Sequence, residues 1–347
     1  MEKITLTLAE GVQGLGKAGE RVTLALQPAD VHDPTELPTY LAGYKPFQYR
    51  ADEASPVVLV DNDEDKYRTF DSDDAFRRVN VKGSTSGKVN EVDPKSSLAS
   101  YKVVERFIGS FVPAQTQGQT GNAYNPQMAA ARRARRALEL DREIDVFTML
   151  GTLTSFATAQ RTTLAAGREW NGGTNSNPIE DLQNQIEASA QEVSAIWMNQ
   201  KVAHLFMRHP EVKDHMRQFL GDSPVTGAAR EVYDAGRRTV DFEIPGLPPI
   251  KVSAAKVLNE TTSALDYVFP DVVTLVTVPP GEPTDGEEIA TTYTFRRRGP
   301  SGTGFEVREF TVEDRGSLGG TMIVVSQADL AVMTGPSVGG IITAIIQ

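Results

Sequence analysis

From Asn125 onward the chain carries a helical pattern long enough to limit the folds open to it. Asparagine favours the cap and proline the first helical position, so Asn125-Pro126 reads as a helix start. Beyond it Ala130, Ala134, Ala137, Leu140, Ile144, Phe147 and Gly151 recur every three or four residues, which is one apolar face. The spacing predicts a helix over 126–153. Its charges oppose local preference. Arg132, Arg133, Arg135 and Arg136 fill the first half and Glu139, Asp141, Glu143 and Asp145 the second, whereas the helix dipole favours acids first. A pair such as Arg135–Glu139 recovers at most about 0.5 kcal/mol. Something other than local propensity therefore placed the arginines. They read as a solvated face, as partners for an acidic neighbouring copy, or as a contact with nucleic acid.

Upstream of this helix the chain cannot bury itself. Residues 1–30 alternate in ITLTL and RVTLAL around GVQGLGKAG, a β-hairpin pattern. Pro34, Pro38, Pro46 and Pro56 then block regular helix, which leaves an extended arm. VVLV at 57–60 is a short strand. Between 51 and 76 nine acids, Asp71, Asp73 and Asp74 among them, face two bases. Between 77 and 106 seven bases, including Arg77, Arg78, Lys82, Lys88 and Lys95, face three acids. KGSTSGKVNEVDPKSS is too polar for a core, and its glycines mark a turn. Flanked by FRRVNV and SYKVVERF, it reads as a long two-stranded excursion. A lone hairpin of that length is marginal, so it needs a neighbour, which a second copy could supply. The opposite charges of 51–76 and 77–106 are candidates to meet across that boundary.

Downstream, Asn177-Pro178 starts a second helix, AIWM reads as a strand, and VAHLFMRHPEVKDHMRQFLG reads as two helical pieces broken at Pro210. IPGLPPIKVSAA and DVVTLVTVPPG are strands with turn signals. From Thr291 the chain alternates again through TTYTFRRR, FEVREFTVED, TMIVVSQADLAVM and GGIITAIIQ.

No chemical constellation emerges. The sequence has no GxxxxGK[ST] or HExxH, and GVQGLGKAG has no buried parallel strand before it and no helix pattern after it. His204, His209 and His215 are spaced five and six apart and straddle Pro210, which is wrong for a helical metal pair. The run from Asp61 to Asp65 lacks the glycine and glutamate of a calcium loop, so it reads as a solvated or intersubunit acidic face. There is no cysteine, which rules out disulfides and thiolate metal sites. No cofactor and no metal is expected. No apolar run approaches the ~20 residues of a membrane helix, and the N-terminus does not read as a secretory signal. The net charge of −11 argues against wrapping nucleic acid by neutralisation, although an acidic surface could lie beside packed DNA without sticking.

The order of these elements resembles the major capsid proteins of tailed bacteriophages, of the Hong Kong 97 type. ASYKVVERFIGSFVP followed by NPQMAAARRARRALELDREIDVFTML looks like the family's end of E-loop and spine helix. SNPIEDL and AIWMNQKVAHLFMRHPEV are similar to the entry to its axial domain, and IPGLPPIKVSAAKV with DVVTLVTV to the strands that follow. The resemblance covers about residues 45–347 and rests on order and spacing. It implies an α+β fold divided into a hairpin and N-arm at 1–55, an E-loop at 56–106 and a peripheral domain at 107–165 containing the spine helix. An axial domain at 166–290 and a return to the peripheral β-sheet at 291–347 complete it. Residues 1–30 have no match in the family core, and no coiled-coil scaffold segment is visible.

The implied function is structural rather than enzymatic. The chain would assemble with itself into pentamers and hexamers of an icosahedral shell around double-stranded DNA. Its partners would be a separate scaffolding protein, a portal and, in some systems, a decoration protein. Its place would be the virion, after assembly in the host cytoplasm, with no membrane. Some members join a lysine of the E-loop to a neighbour's asparagine. Lys82, Lys88 and Lys95 lie in that region and read as plain solvated lysines. The alternatives are an encapsulin-type shell around cargo enzymes and, from another class, an α/β enzyme.

Overall fold

A computed structural model describes residues 31–32, 49–70, 97–119, 125–172, 175–220, 241–281, 288–299, 304–313, 315 and 318–346. The hairpin read at 1–30, most of the N-arm, and Asp71, Asp73, Asp74, Arg77, Arg78, Lys82, Lys88 and Lys95 lie outside the described residues.

The strands are β1 (Val31–His32), β2 (Val57–Val60), β3 (Glu64–Thr69), β4 (Ser97–Lys102) and β5 (Val104–Pro113). After the helical region come β6 (Arg161–Thr163), β7 (Ala195–Asn199), β8 (Ile250–Ser253), β9 (Lys256–Leu258) and β10 (Leu265–Tyr267). The last five are β11 (Val273–Val276), β12 (Thr292–Arg297), β13 (Glu306–Val312), β14 (Gly320–Met333) and β15 (Gly340–Thr343). The helices are α1 (Ala51–Ala54), α2 (Ala114–Gln119), α3 (Pro126–Gly151), α4 (Pro178–Ala188), α5 (Gln200–Arg208) and α6 (Pro210–Leu220). The chain divides into two compact units.

The smaller unit comprises Met1–Tyr44, Phe107–Ala137 and Phe305–Ser326. Here β13 pairs antiparallel with β1 and with the first half of β14 (Val307 opposite Val325), and β5 also pairs with β14. Alternation puts Val307, Ile323 and Val325 on one buried face, and Val112, Val312, Ala130, Ala131 and Ala134 are also buried. A side chain at Gly320 would come within 2.3 Å of the Val112 carbonyl oxygen, so only glycine lets these strands close up. Asn125 caps α3 as its sequence suggested: its Oδ1 accepts from Gln127 N at 3.0 Å and Met128 N at 3.1 Å.

The larger unit comprises Lys45–Arg106, Leu138–Gly304 and Gln327–Gln347. One of its sheets pairs β12 parallel to β2 and antiparallel to the second half of β14. The other runs β6-β15-β11-β7-β8, while β3–β4 and β9–β10 form two-stranded ribbons. All five positions of β7 and all four of β11 are buried, as their continuous apolar runs require of central strands covered on both faces. One face packs Trp170, Leu182, Phe206 and Val212 against Ile196 and Met198. The other packs Val146, Phe147 and Leu150 of α3 against Trp197, Phe269 and Ile341. Burying each such side chain contributes about 1.5–3 kcal/mol. A side chain at Gly151 would meet the Pro270 ring at 2.4 Å, so glycine sets how closely the helix approaches.

Two sequence readings change here. Residues 291–347 do not return to one sheet: β12 and β14 pair with each other, but β15 joins β11 and β6 in the five-stranded sheet. Alternation specifies that a segment is a strand and not which partner it takes. The buried face of α3 also coincides only partly with the apolar stripe read from the sequence: Ala130, Ala134 and Phe147 are buried. Ala137, Leu140 and Ile144 are only half-buried, whereas Arg135, Glu139, Arg142 and Glu143 are buried. The helix is turned so that charged side chains lie inside.

Candidate functional site

The four arginines singled out on α3 do not form one patch. Arg132, Arg133 and Arg136 are exposed. Arg135 is 8% exposed, and its guanidinium sits 4.3 Å from the centre of the Phe305 ring within the smaller unit. A cation over a ring face, desolvated, contributes on the order of 1–2 kcal/mol. Its position is explained by packing, which answers why local preference failed to predict it. The Arg133 Nε donates to the Ala129 carbonyl at 3.4 Å.

Within the larger unit, three arginines from separate elements converge on Asp329 of β14, which is 1% exposed. Arg106 of β5 approaches it at 3.2 Å, Arg142 of α3 at 3.3 Å and Arg296 of β12 at 3.7 Å. Gln327 Nε2 donates to the same carboxylate at 2.5 Å. Arg106 also pairs with Asp141 and Asp145, and Arg142 with Glu139 and Asp52. Burial lowers Arg296 to about 10, helped by the like charge of Arg142 and resisted by Asp52 and Asp329. For Arg142 burial acts the same way, but Asp52 and Asp329 outweigh it and raise the group above an ordinary arginine. A buried ionic cluster adds little to stability against an apolar replacement, yet removing one member strands the others. Its physical effect is registry: it fixes the relative positions of β5, α3, β12 and β14.

A second polar cluster holds the end of the N-arm. Glu143 is fully buried, and its Oε2 accepts from the backbone N–H groups of Arg50 at 2.8 Å and Ala51 at 2.7 Å. Burial pushes its carboxyl up to about 7, against the pull of those two donors. The Arg50 guanidinium donates to Asp241 at 2.5 and 2.7 Å and to Glu53 at 2.6 and 3.2 Å, and lies 5.1 Å from the Trp197 ring centre. Asp52 reaches Arg142 and Arg296. A four-residue helix has no stability of its own, so α1 exists because these side chains clamp it.

The remaining sequence candidates have local partners. In the acidic run, Asp63 pairs with Arg297 at 3.1 Å, Asp61 with Arg298 at 3.8 Å, and Glu64 with Lys102 across the β3–β4 ribbon. His209 Nδ1 accepts from the Glu211 N–H at 3.3 Å and caps α6, and His215 contacts the Pro245 carbonyl at 3.0 Å. Trp170 Nε1 donates to Asp181 at 3.0 Å. Among the described residues no group of three metal-binding side chains occurs, and no helix is long and apolar enough to cross a membrane. Sequence reasoning missed Arg142, Glu143, Arg296 and Asp329. The available signal was the three-and-four spacing of Arg135, Glu139, Arg142 and Glu143 with Leu138, Val146 and Leu150.

No family model matches the chain. It is 23% identical over 226 residues to the major capsid protein of Pseudomonas phage JBD67, spanning 63% of this chain and 73% of that protein. Among solved structures it is similar to a phage-related protein of Bordetella bronchiseptica RB50 (TM-score 0.67, 18% identity, 90% of this chain and 97% of that one). It is also similar to a protein assigned as the capsid protein of a prophage of E. coli CFT073 (TM-score 0.54, 11% identity, 90% of this chain and 99% of that one).

Proposed function

We propose that this chain, whose fold is that of the Hong Kong 97-type capsid proteins, is the major capsid protein of a tailed bacteriophage. The observation that carries this is the likeness along nearly the whole chain to a phage-related structure, together with the curated phage capsid relative. In this reading the chain has no catalytic role. It forms pentamers and hexamers that close into an icosahedral shell around double-stranded DNA, assembled in the host cytoplasm with a separate scaffolding protein and a portal. Identical subunits in such rings make heterologous contacts that close by rotation.

The parts take their roles from this reading. α3 is the spine helix, and the two polar clusters along it hold its neighbouring elements in register. The β3–β4 ribbon is the root of the E-loop, whose residues 71–96 extend onto a neighbour. Arg77, Arg78, Lys82, Lys88 and Lys95 are then intersubunit cations that meet acids such as Asp71, Asp73 and Asp74 of the next copy. Arg132, Arg133 and Arg136 face either a neighbour or the DNA. The five-stranded sheet with α4, α5 and α6 is the axial domain, extended by β6 and β15 beyond the 166–290 span.

The test is electron microscopy and sedimentation of the expressed chain, alone and with its scaffolding protein. Closed shells of megadalton mass are expected. A small oligomer under both conditions would overturn the reading. Nucleic acid in particles from infected cells supports the phage assignment, and enzyme cargo in its place overturns it in favour of an encapsulin-type shell.

A further inference from the structure

The sheet of the smaller unit has two unlike faces. Register sets which residues share one: Phe310 lies opposite Met322 and Arg308 opposite Val324. A side chain at Gly109 would meet the Met322 Sδ at 2.9 Å and a Val324 methyl carbon at 3.6 Å, and one at Gly320 would meet the Phe111 ring at 2.8 Å. Alternation along β5 therefore puts Phe107 and Phe111 on the same face as Phe310, Met322 and Val324. On the opposite face Val307, Ile323 and Val325 are buried. On this one Phe107 is 52% exposed, and Phe111, Phe310, Met322 and Val324 are only half-buried. The charged side chains beside them have partners: Arg308 pairs with Glu306 at 2.8 Å, and Arg315 lies 5.7 Å from the centre of the Phe111 ring. Apolar side chains left partly open along a sheet face are unfavourable in water unless a further layer covers them.

The chain itself brings a candidate layer to this place. β1 forms the edge of the sheet, with Val31 opposite Phe310, and the unit that holds the sheet also takes in residues 1–44. In ITLTLAE and RVTLALQ alternate residues are apolar: Ile4, Leu6 and Leu8 in the first, Val22, Leu24 and Leu26 in the second. Paired as a hairpin, these strands have one apolar side and nothing of their own to cover it, and a lone hairpin is marginal. Only Gln27 to Asp30 separate Leu26 from Val31, so Leu26 stays within about 17 Å of the β13 edge. Pro28, in that link, lacks the N–H with which a strand would continue β1 along β13.

We infer that residues 4–26 fold back as a hairpin over the open face of this sheet and lay their apolar side on Phe107, Phe111, Phe310, Met322 and Val324 of the same chain. This goes beyond the shell reading and does not depend on it. Two observations select this segment as the occupant. Its link to β1 is short, and a short tether holds a segment at an effective concentration on the order of millimolar, which favours its own chain over a free partner. The dimensions also agree. Sheets pack face to face about 10 Å apart, a step that a link reaching about 17 Å can make.

Peroxide oxidation of Met322 in purified subunits, followed by mass spectrometry, reads the cover. Met322 should oxidise at least tenfold more slowly in the full chain than in a chain lacking residues 1–27. Met198, 0% exposed in the core of the larger unit, is the internal control and should stay protected in both. Equal rates at Met322 overturn the inference. If Met198 oxidises as well, the truncation has unfolded the chain, and cysteine pairs in the full chain decide. The chain has no cysteine, so Leu24→Cys with Val324→Cys, and Leu6→Cys with Met322→Cys, act without background. After mild oxidation at least one pair should lose both free thiols and still run as a monomer on a denaturing gel without reductant, while each single variant keeps its thiol. Free thiols in both pairs overturn the inference. So does a ladder of multiples that collapses on reduction, which would place the hairpin on a second copy. Because subunits suffice for these measurements, a chain that forms no particle fails the shell reading and leaves this inference standing.

Discussion

Replacing Glu143 by glutamine should change how the subunit's stability depends on pH. Glu143 is fully buried, and burial raises its carboxyl from 4.5 to about 7. An acid whose folded value is raised holds its proton more tightly when folded. Between 4.5 and 7 the folded state therefore binds more protons than the unfolded one, and stability falls as pH rises. The contribution is complete below 4.5 and is lost as pH climbs through 7. At about 1.4 kcal/mol per unit, the loss between roughly pH 5.5 and 8.5 is about 2 kcal/mol. Glutamine keeps an oxygen for the Arg50 and Ala51 N–H groups but does not titrate. Near pH 5.5 Glu143→Gln should be neutral or slightly destabilising, because its amide N–H groups need acceptors. Near pH 8.5 the comparison should shift in its favour by about 2 kcal/mol. Urea unfolding of dissociated subunits, followed by circular dichroism at both pH values, measures this. A difference between variant and parent that is the same at both values would refute the reasoning.

Asp329→Ala should lower unfolding free energy by about 3–5 kcal/mol, because it takes the shared carboxylate from buried Arg142 and Arg296 and from half-buried Arg106; Arg296→Met should cost less, since it removes a cation already disfavoured by burial and by Arg142. Equal urea midpoints for the two variants would contradict this ordering. Ala137→Pro removes a backbone bond in the middle of α3 and should cost about 3 kcal/mol or more; normal yields of particles from that variant would show that the helix is not needed for assembly. Trypsin should cut early at Lys82, Lys88 and Lys95 in dissociated subunits and leave them intact in particles, because this polar segment has little to bury except against a neighbour. Equal cleavage in both states would remove the intersubunit role proposed for residues 71–96.

Elements that announce themselves through local chemistry were legible in the sequence. Asn125, Asn177 and Asn199 each accept a backbone N–H at a helix start, but only the first two were readable, because the Asn-Pro pair marks the boundary twice. Buried strands such as AIWMN and VTLV stood out as apolar runs. Their partners did not: nothing in GIIT says that it pairs with β11 and β6, since pairing is decided by the packing of distant segments. The ribbon strand Glu64–Thr69 was hidden inside an acidic run, because its pairing with Ser97–Lys102 depends on a partner twenty-eight or more residues away.

The rotation of α3 shows where pattern reading fails for a physical reason. A hydrophobic stripe is the lowest-energy guess for a buried face only when the neighbouring elements are apolar. Here Arg106, Arg296 and Asp329 on adjacent strands offer charges. The helix can then turn Glu139 and Arg142 inward and leave Ala137, Leu140 and Ile144 half-covered. Burying ions this way gains little stability over an apolar core, and it makes any slip in register costly, because a displaced helix would leave unpaired charges inside. A subunit that must present the same edges to every neighbour in a closed shell needs that kind of fixed register more than it needs additional stability. On the proposed function, the buried charges that the sequence concealed and the polar segment that it displayed therefore serve the same end. The first fixes the shape that each copy offers, and the second joins that shape to the next.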